Sequence, residues 1–161
     1  MNNSFRMMAF DTLVNLIKSD NNLNLEFMGK INRLRFAPKE FDLIEKVGDG
    51  SWDGTKYIIL FELENRPDRL DVLLIIGPGN EDIRQRLFNH VLQCPEVFNS
   101  VSRRNLSPIF KRVFRKKLID YNGDIINEEK LRETIISAYN DFKEHDYKKI
   151  VNYIKYNYKQ L

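Results

Sequence analysis

Seven basic side chains crowd into one stretch of this chain. Arg103, Arg104, Lys111, Arg112, Arg115, Lys116 and Lys117 lie within residues 97–119, where no acidic residue occurs. Guanidinium and ammonium groups at that density suit phosphate oxygens, or an acidic protein surface, through charge-assisted hydrogen bonds. The spacing predicts a helix over 109–118, with Phe110, Phe114 and Leu118 facing the core and Val113 beside them. Lys111 with Arg115, and Arg112 with Lys116, are then like-charge pairs four residues apart, each costing roughly a few tenths of a kcal/mol. An anionic partner would offset that repulsion, whereas a plain solvated basic face needs none. These seven residues are the candidate nucleic-acid or partner-binding set.

A second group carries acid. Glu62 and Glu64 differ by two, so on a strand both project from one face, and Asp71 falls on the neighbouring strand. Such carboxylates can hold Mg²⁺ for hydrolysis. Alternatively, Glu62 and Glu64 line a solvent face while Phe61 and Leu63 point inward. Other chemistry is sparse. His90 and His145 lack a set of partners at ligand spacing, and two ligands, as in His90 and Cys94, do not make a site. No serine sits in a GxSxG turn. Gly77-Pro78-Gly79-Asn80 lies between a strand and a helix but fits neither phosphate-loop pattern, and Pro78 removes a donor, so it reads as a structural turn. No complete catalytic set, metal-ligand set or cofactor motif is visible.

These groups need a folded frame, and the composition supplies one. With 161 residues, 42% hydrophobic and 30% charged, the chain is long enough for one domain with one core. Cys94 is the single cysteine, which excludes an internal disulfide and suits a reducing cytosol, where it acts as a small hydrophobe. No apolar run approaches the roughly 20 residues of a membrane span, and the first ten residues lack a secretion-signal pattern. We therefore expect a cytoplasmic protein. The net charge of +3 is small but uneven: residues 1–99 hold 12 basic and 15 acidic side chains, and residues 100–161 hold 14 and 8. That asymmetry permits an anionic partner, DNA, RNA or protein, and requires none.

The elements follow from periodicity. Phe5, Met8, Ala9, Leu13, Leu16 and Ile17 predict a first helix, broken at Ser19-Asp20-Asn21-Asn22. Strand-like runs cover 23–27 and 33–36, the second ended by Pro38. The runs 56–63 and 70–76, joined by a short turn, predict an antiparallel hairpin. Asn80 caps a helix over 83–92, with Ile83, Leu87 and Val91 inward and Arg84 and Arg86 solvated. Ser107-Pro108 reads as the start of the basic helix. A helix over 130–144 follows, and then one burying Tyr147, Ile150, Val151, Ile154 and Tyr158, which leaves Tyr153 and Tyr156 free to stack. The order predicts an α+β fold: a small antiparallel sheet packed by an N-terminal helix and several C-terminal helices.

The string 56–62, then Leu70-Asp71-Val72-Leu73-Leu74-Ile75-Ile76-Gly77-Pro78-Gly79 and Ile83-Arg84-Gln85-Arg86-Leu87-Phe88, resembles the C-terminal region of bacterial PD-(D/E)xK nuclease-superfamily proteins linked to defence against mobile DNA. The likeness covers roughly residues 30–156 and rests on one short motif and the element order. It implies an accessory part without the catalytic core. The strand offers Glu62-Leu63-Glu64 with no lysine where the family needs one, while Glu128-Glu129-Lys130 and Asp146-Tyr147-Lys148 fit the tripeptide but fall at helix starts. The expectation is thus a non-catalytic binding module in bacterial or phage DNA-conflict systems, contacting nucleic acid or a nuclease partner through a basic helical surface. An inhibitor that blocks a host defence protein, anchored by Trp52 or Tyr156, is the alternative. A Mg²⁺-dependent nuclease is the third.

Overall fold

Apolar residues at helical spacing build α1 (Asn3–Ser19) in a computed structural model that describes residues 3–44, 51–100, 106–107, 109–123 and 127–158. Ala9, Phe10, Leu13 and Ile17 are buried, and the Asp20 carboxylate accepts the Asn22 backbone N–H in the turn that follows the helix. The strands β1 (Leu23–Met28), β2 (Arg33–Pro38), β3 (Ile59–Asn65) and β4 (Arg69–Ile76) come next. Helix α2 (Glu81–Val91) starts at Asn80, whose side chain accepts the Ile83 N–H at 3.1 Å. β5 (Lys111–Asp120) precedes α3 (Glu128–Phe142), capped by Asn127. A π-helical turn, Lys143–Tyr147, runs from α3 into α4 (Lys148–Asn157).

Among the described residues the strands form one antiparallel sheet in chain order, β1-β2-β3-β4-β5. With helices before and after it, this is the expected α+β fold. The two faces of the sheet differ. Phe36, Phe61 and Phe114 lie on one, where Phe61 meets Phe142 at 5.6 Å and Tyr147 at 5.7 Å. Helix α1 packs on α3, and the buried side chains join in a single cluster. Each large side chain removed from water there stabilises by roughly 1.5–3 kcal/mol. The opposite face carries Arg33, Arg35, Glu62, Glu64, Leu73 and Ile75, with cross-strand pairs Arg35 to Glu62 and Glu62 to Leu73. No helix among the described residues is long and apolar enough to cross a membrane.

The basic stretch over 109–118 is not a helix, because Lys111–Asp120 is a ten-residue strand at the sheet edge. Its register shifts opposite Leu74/Ile75 and again opposite Leu70/Asp71. Each bulge inserts a residue and moves the inside/outside alternation by one. Val113 with Phe114, and Leu118 with Ile119, are consequently buried as adjacent pairs, and that five-residue beat imitates a helical stripe. Phe110, assigned to the core by the helical reading, is 47% exposed.

Arg84 is likewise not solvated: it is 1% exposed. Its Nε donates to the Gly77 carbonyl at 2.7 Å, and its terminal nitrogens reach the Ser107 carbonyl at 2.5 Å and Glu81 at 2.7 Å. A buried guanidinium needs such acceptors to offset its desolvation. Ser107, expected as a helix cap, is instead an anchor point on the path into β5. Pro108 lies outside the described residues.

Gly77 has a steric reason. A Cβ there would come within 2.1 Å of the Trp52 ring, so the indole packs directly on backbone. Gly77→Ala is expected to lower stability by about 1–3 kcal/mol through overpacking, measured as a reduced urea midpoint with an unchanged slope.

Candidate anion-binding groove

The carboxylates that could have held a metal face arginines. Glu62 accepts from Arg35 Nε at 2.7 Å and lies 3.5 Å from Arg33. Glu64 is paired with Arg66 at 3.0 Å. Asp71, fully buried, takes Arg69 at 3.0 Å and Arg115 at 2.8 Å on one oxygen. Glu64 and Asp71 are cross-strand neighbours, as the sequence spacing implied. Glu62 is only 4% exposed, because Arg35 and Arg33 close on its carboxylate at the floor of a cavity that Trp52 also lines. Each acid already has a guanidinium counterion. The described residues contain no cluster of three or more His, Cys, Asp or Glu arranged to hold a metal. What these groups do chemically is bind one another.

Arg35 is the centre of that network. It is 4% exposed, its guanidinium lies 5.1 Å from the Phe27 ring centroid and 5.0 Å from that of Trp52, and it also pairs with Asp53. Stacking on rings and bidentate pairing are what guanidinium chemistry favours. Asp53 has φ of 52°, a left-handed conformation that short polar residues tolerate best. The turn that carries Trp52 is thus pinned to the sheet by a charge.

The bulges of β5 scatter the predicted basic set. Arg112 pairs across from Ile75 and Arg115 from Leu73, so both join the arginine face although they are three residues apart. Lys116 projects from the other face to Asp141 and Asp146, at 2.6 Å from each. Burial works to lower the Lys116 ammonium, but those hydrogen bonds outweigh it and hold it above the usual lysine range. Lys117 is paired with Asp120, and Lys111 sits 5.4 Å from the Phe88 ring centroid. Arg103 and Arg104 lie outside the described residues. Of the candidates that are described, Arg112 alone is exposed and has no ion pair among the described residues.

Two adjoining cavities open on the arginine face. One, of about 680 Å³, is lined by Arg6, Lys30, Arg33, Arg35 and Arg66, with Asp53 and Glu64. The other, of about 330 Å³, shares Arg33, Arg35 and Glu64 and adds Trp52, Leu73, Ile75, Phe110 and Arg112. Phe110 meets Trp52 edge-on at 5.5 Å. Together they make a groove of six cations against three carboxylates, Asp53, Glu62 and Glu64, with an aromatic and aliphatic part at one end. Sequence reasoning missed Arg6, Lys30, Arg33, Arg35 and Arg66, because they come from separate elements and form no run. The alternation Arg33-x-Arg35 opposite Glu62-x-Glu64 is the one signal that could have found part of it. Trp52, proposed as an apolar anchor, is 2% exposed. Tyr153 is not free either, since its ring stacks on His90 at 4.6 Å; Tyr156 is 66% exposed.

No family model, curated protein or solved structure matches this chain.

Breaking the buried pair should reveal its cost. Arg35→Met leaves Glu62 without its closest counterion and is expected to destabilise by about 3–5 kcal/mol, whereas Arg35→Met/Glu62→Leu should recover part of that loss. Chemical denaturation of the two variants beside the wild type measures both. With Glu62→Leu added to close the cycle, a double-variant loss equal to the sum of the two single losses would mean that the charges are not coupled.

Proposed function

We propose that this chain is a non-catalytic module that binds single-stranded nucleic acid along the groove on the arginine face of its sheet. The observation that carries the reading is the composition of the two joined cavities, with excess positive charge along the groove and Phe110 exposed at its aromatic end. Single strands are held by cationic grooves that follow the backbone and by rings on which bases stack. Duplex DNA instead admits a helix or a two-stranded ribbon into its major groove, and a groove sunk into a sheet face presents neither. Arg33, Arg66 and Arg112 are the phosphate contacts, with Phe110 as the stacking ring. Arg35 is a positioning residue, tied down by Glu62, Asp53 and two rings. A setting in bacterial or phage DNA conflict, where displaced single strands arise, accords with the likeness noted in the sequence.

A protein-directed inhibitor is the second reading, favoured by Tyr156 on α4, which is 66% exposed and outside the groove. Large exposed aromatic residues are preferred anchors of protein interfaces.

Fluorescence anisotropy with labelled single-stranded DNA, single-stranded RNA and duplex DNA, over about 50–200 mM salt, separates the readings. Saturable single-strand binding is expected. The salt slope should fall by roughly 1.4 in Arg33→Ala/Arg112→Ala, the loss of two single-strand phosphate contacts. Phe110→Ala should weaken binding by about 1–3 kcal/mol, and Lys117→Ala should leave it unchanged. No binding at about 50 mM salt, where phosphate contacts are strongest, sinks the nucleic-acid module and leaves the inhibitor reading.

A further inference from the structure

The charge along the groove is unevenly spread, and that gradient points to a specific end of the ligand. Arg33, Arg35 and Glu64 line both cavities; beyond them the larger adds Arg6, Lys30 and Arg66 against Asp53, an excess of two on top of the shared excess of one. The smaller adds Arg112 against Glu62, no further excess, and contains the Trp52, Phe110, Leu73 and Ile75 surface. A strand interior carries one charge per phosphodiester. A terminal phosphomonoester carries about −1.5 to −2, so the end phosphate with its neighbouring diester brings close to three charges into the space of two phosphates.

We infer that the larger cavity captures the terminal phosphomonoester of a single-stranded nucleic acid, with the first bases lying toward Phe110. This rests on the groove being the nucleic-acid site, and it names the part of the ligand that the groove reads.

The donors in that cavity support it. Arg6 comes from the first turns of α1 and crosses to the β1–β2 and β3–β4 turns: it donates to the Asn65 carbonyl at 2.7 Å and to Asn32 at 3.3 Å. It has no carboxylate partner among the described residues, and its Nε is buried without an acceptor. Lys30 is exposed, with no ion pair among the described residues. The Arg66 side chain is 41% exposed and shares Glu64, so it can offer a nitrogen to an anion while staying paired. Three donors of this kind, from α1 and two hairpin turns, surround one space of about 680 Å³. That volume lies within the usual range of small-ligand pockets. Trp52, which lines the smaller cavity, likewise has a buried Nε1 with no partner among the described residues. Arginine and indole N–H groups can only donate, and the oxygens of a phosphorylated strand end can only accept once ionised.

The test compares one oligonucleotide sequence in three forms, 5′-phosphorylated, 3′-phosphorylated and hydroxyl at both ends, by anisotropy at fixed ionic strength. One phosphorylated form is expected to bind about tenfold tighter than the hydroxyl form, the worth of one charge-assisted contact set, and which form wins identifies the strand end. In Lys30→Gln/Arg66→Gln that preference should fall to about one, with the melting temperature confirming the fold, while Phe110→Ala should weaken all three forms alike. Equal binding of the three forms by the wild type overturns end recognition and leaves the groove reading standing. A preference that survives in Lys30→Gln/Arg66→Gln overturns the assignment of the cavity. Absence of binding by every form overturns both readings.

Discussion

The structure depends on a positive charge placed where water does not reach it. Arg35 is inserted in β2 with 4% exposure, and burying a guanidinium without partners would cost several kcal/mol. Its surroundings are what make it tolerable: the Glu62 carboxylate on the neighbouring strand, Asp53 from the turn above, and the faces of Phe27 and Trp52. A buried pair of this kind adds little net stability over an apolar pair of the same size. What it supplies here is geometry, since satisfying Arg35 requires the 52–53 turn to lie on the sheet. Gly77 must then lack a side chain, because the indole occupies the space. Arg84, which holds the Gly77 and Ser107 carbonyls, ties the chain before β5 to the same region.

That arrangement separates charges that hold the protein together from charges that are available. β5 is an edge strand, and natural proteins protect such edges with charged side chains and covering segments. Lys116 bridges to Asp141 and Asp146, and Lys117 to Asp120. The Asn99 amide pairs with the Arg115 backbone at 2.9 and 3.0 Å, as a neighbouring strand would. Much of the basic character of this strand is therefore used in edge protection and in joining the sheet to α3. Arg6 and Lys30, which have no carboxylate partner among the described residues, lie instead around the groove, on α1 and in the β1–β2 turn, where long side chains converge.

The element types were legible where one signal dominated. Asn80 and Asn127 cap helices because their side chains accept the N–H three residues on, a local interaction that spacing reveals. The 56–63 and 70–76 runs form the hairpin because a short turn leaves no other pairing. β5 was misread for a reason internal to its sequence: two bulges replace the alternation by the adjacent buried pairs Val113–Phe114 and Leu118–Ile119, and Phe114 and Leu118, four apart like the exposed Phe110 before them, then match a helix. Its Val113, Ile119 and Phe114 favour a strand, a preference that the apparent stripe concealed.

By itself the sequence determined the α+β class, the order of most elements, the caps, and which carboxylates share a strand face, since all of these follow from period and from contacts a few residues long. Tertiary structure alone decided the partners of those carboxylates and the fate of the arginines. Glu62 could line solvent, ligate a metal or bury itself against Arg35, and only the strand pairing of residues 27 positions apart, closed over by Trp52, selected the last. Arg84 reads as a surface residue on helical spacing and becomes a buried clamp because three carbonyls converge on it. Long charged side chains carry little local preference. Their energy is set by what desolvates them and by what accepts their hydrogen bonds, and the chain must fold before either exists.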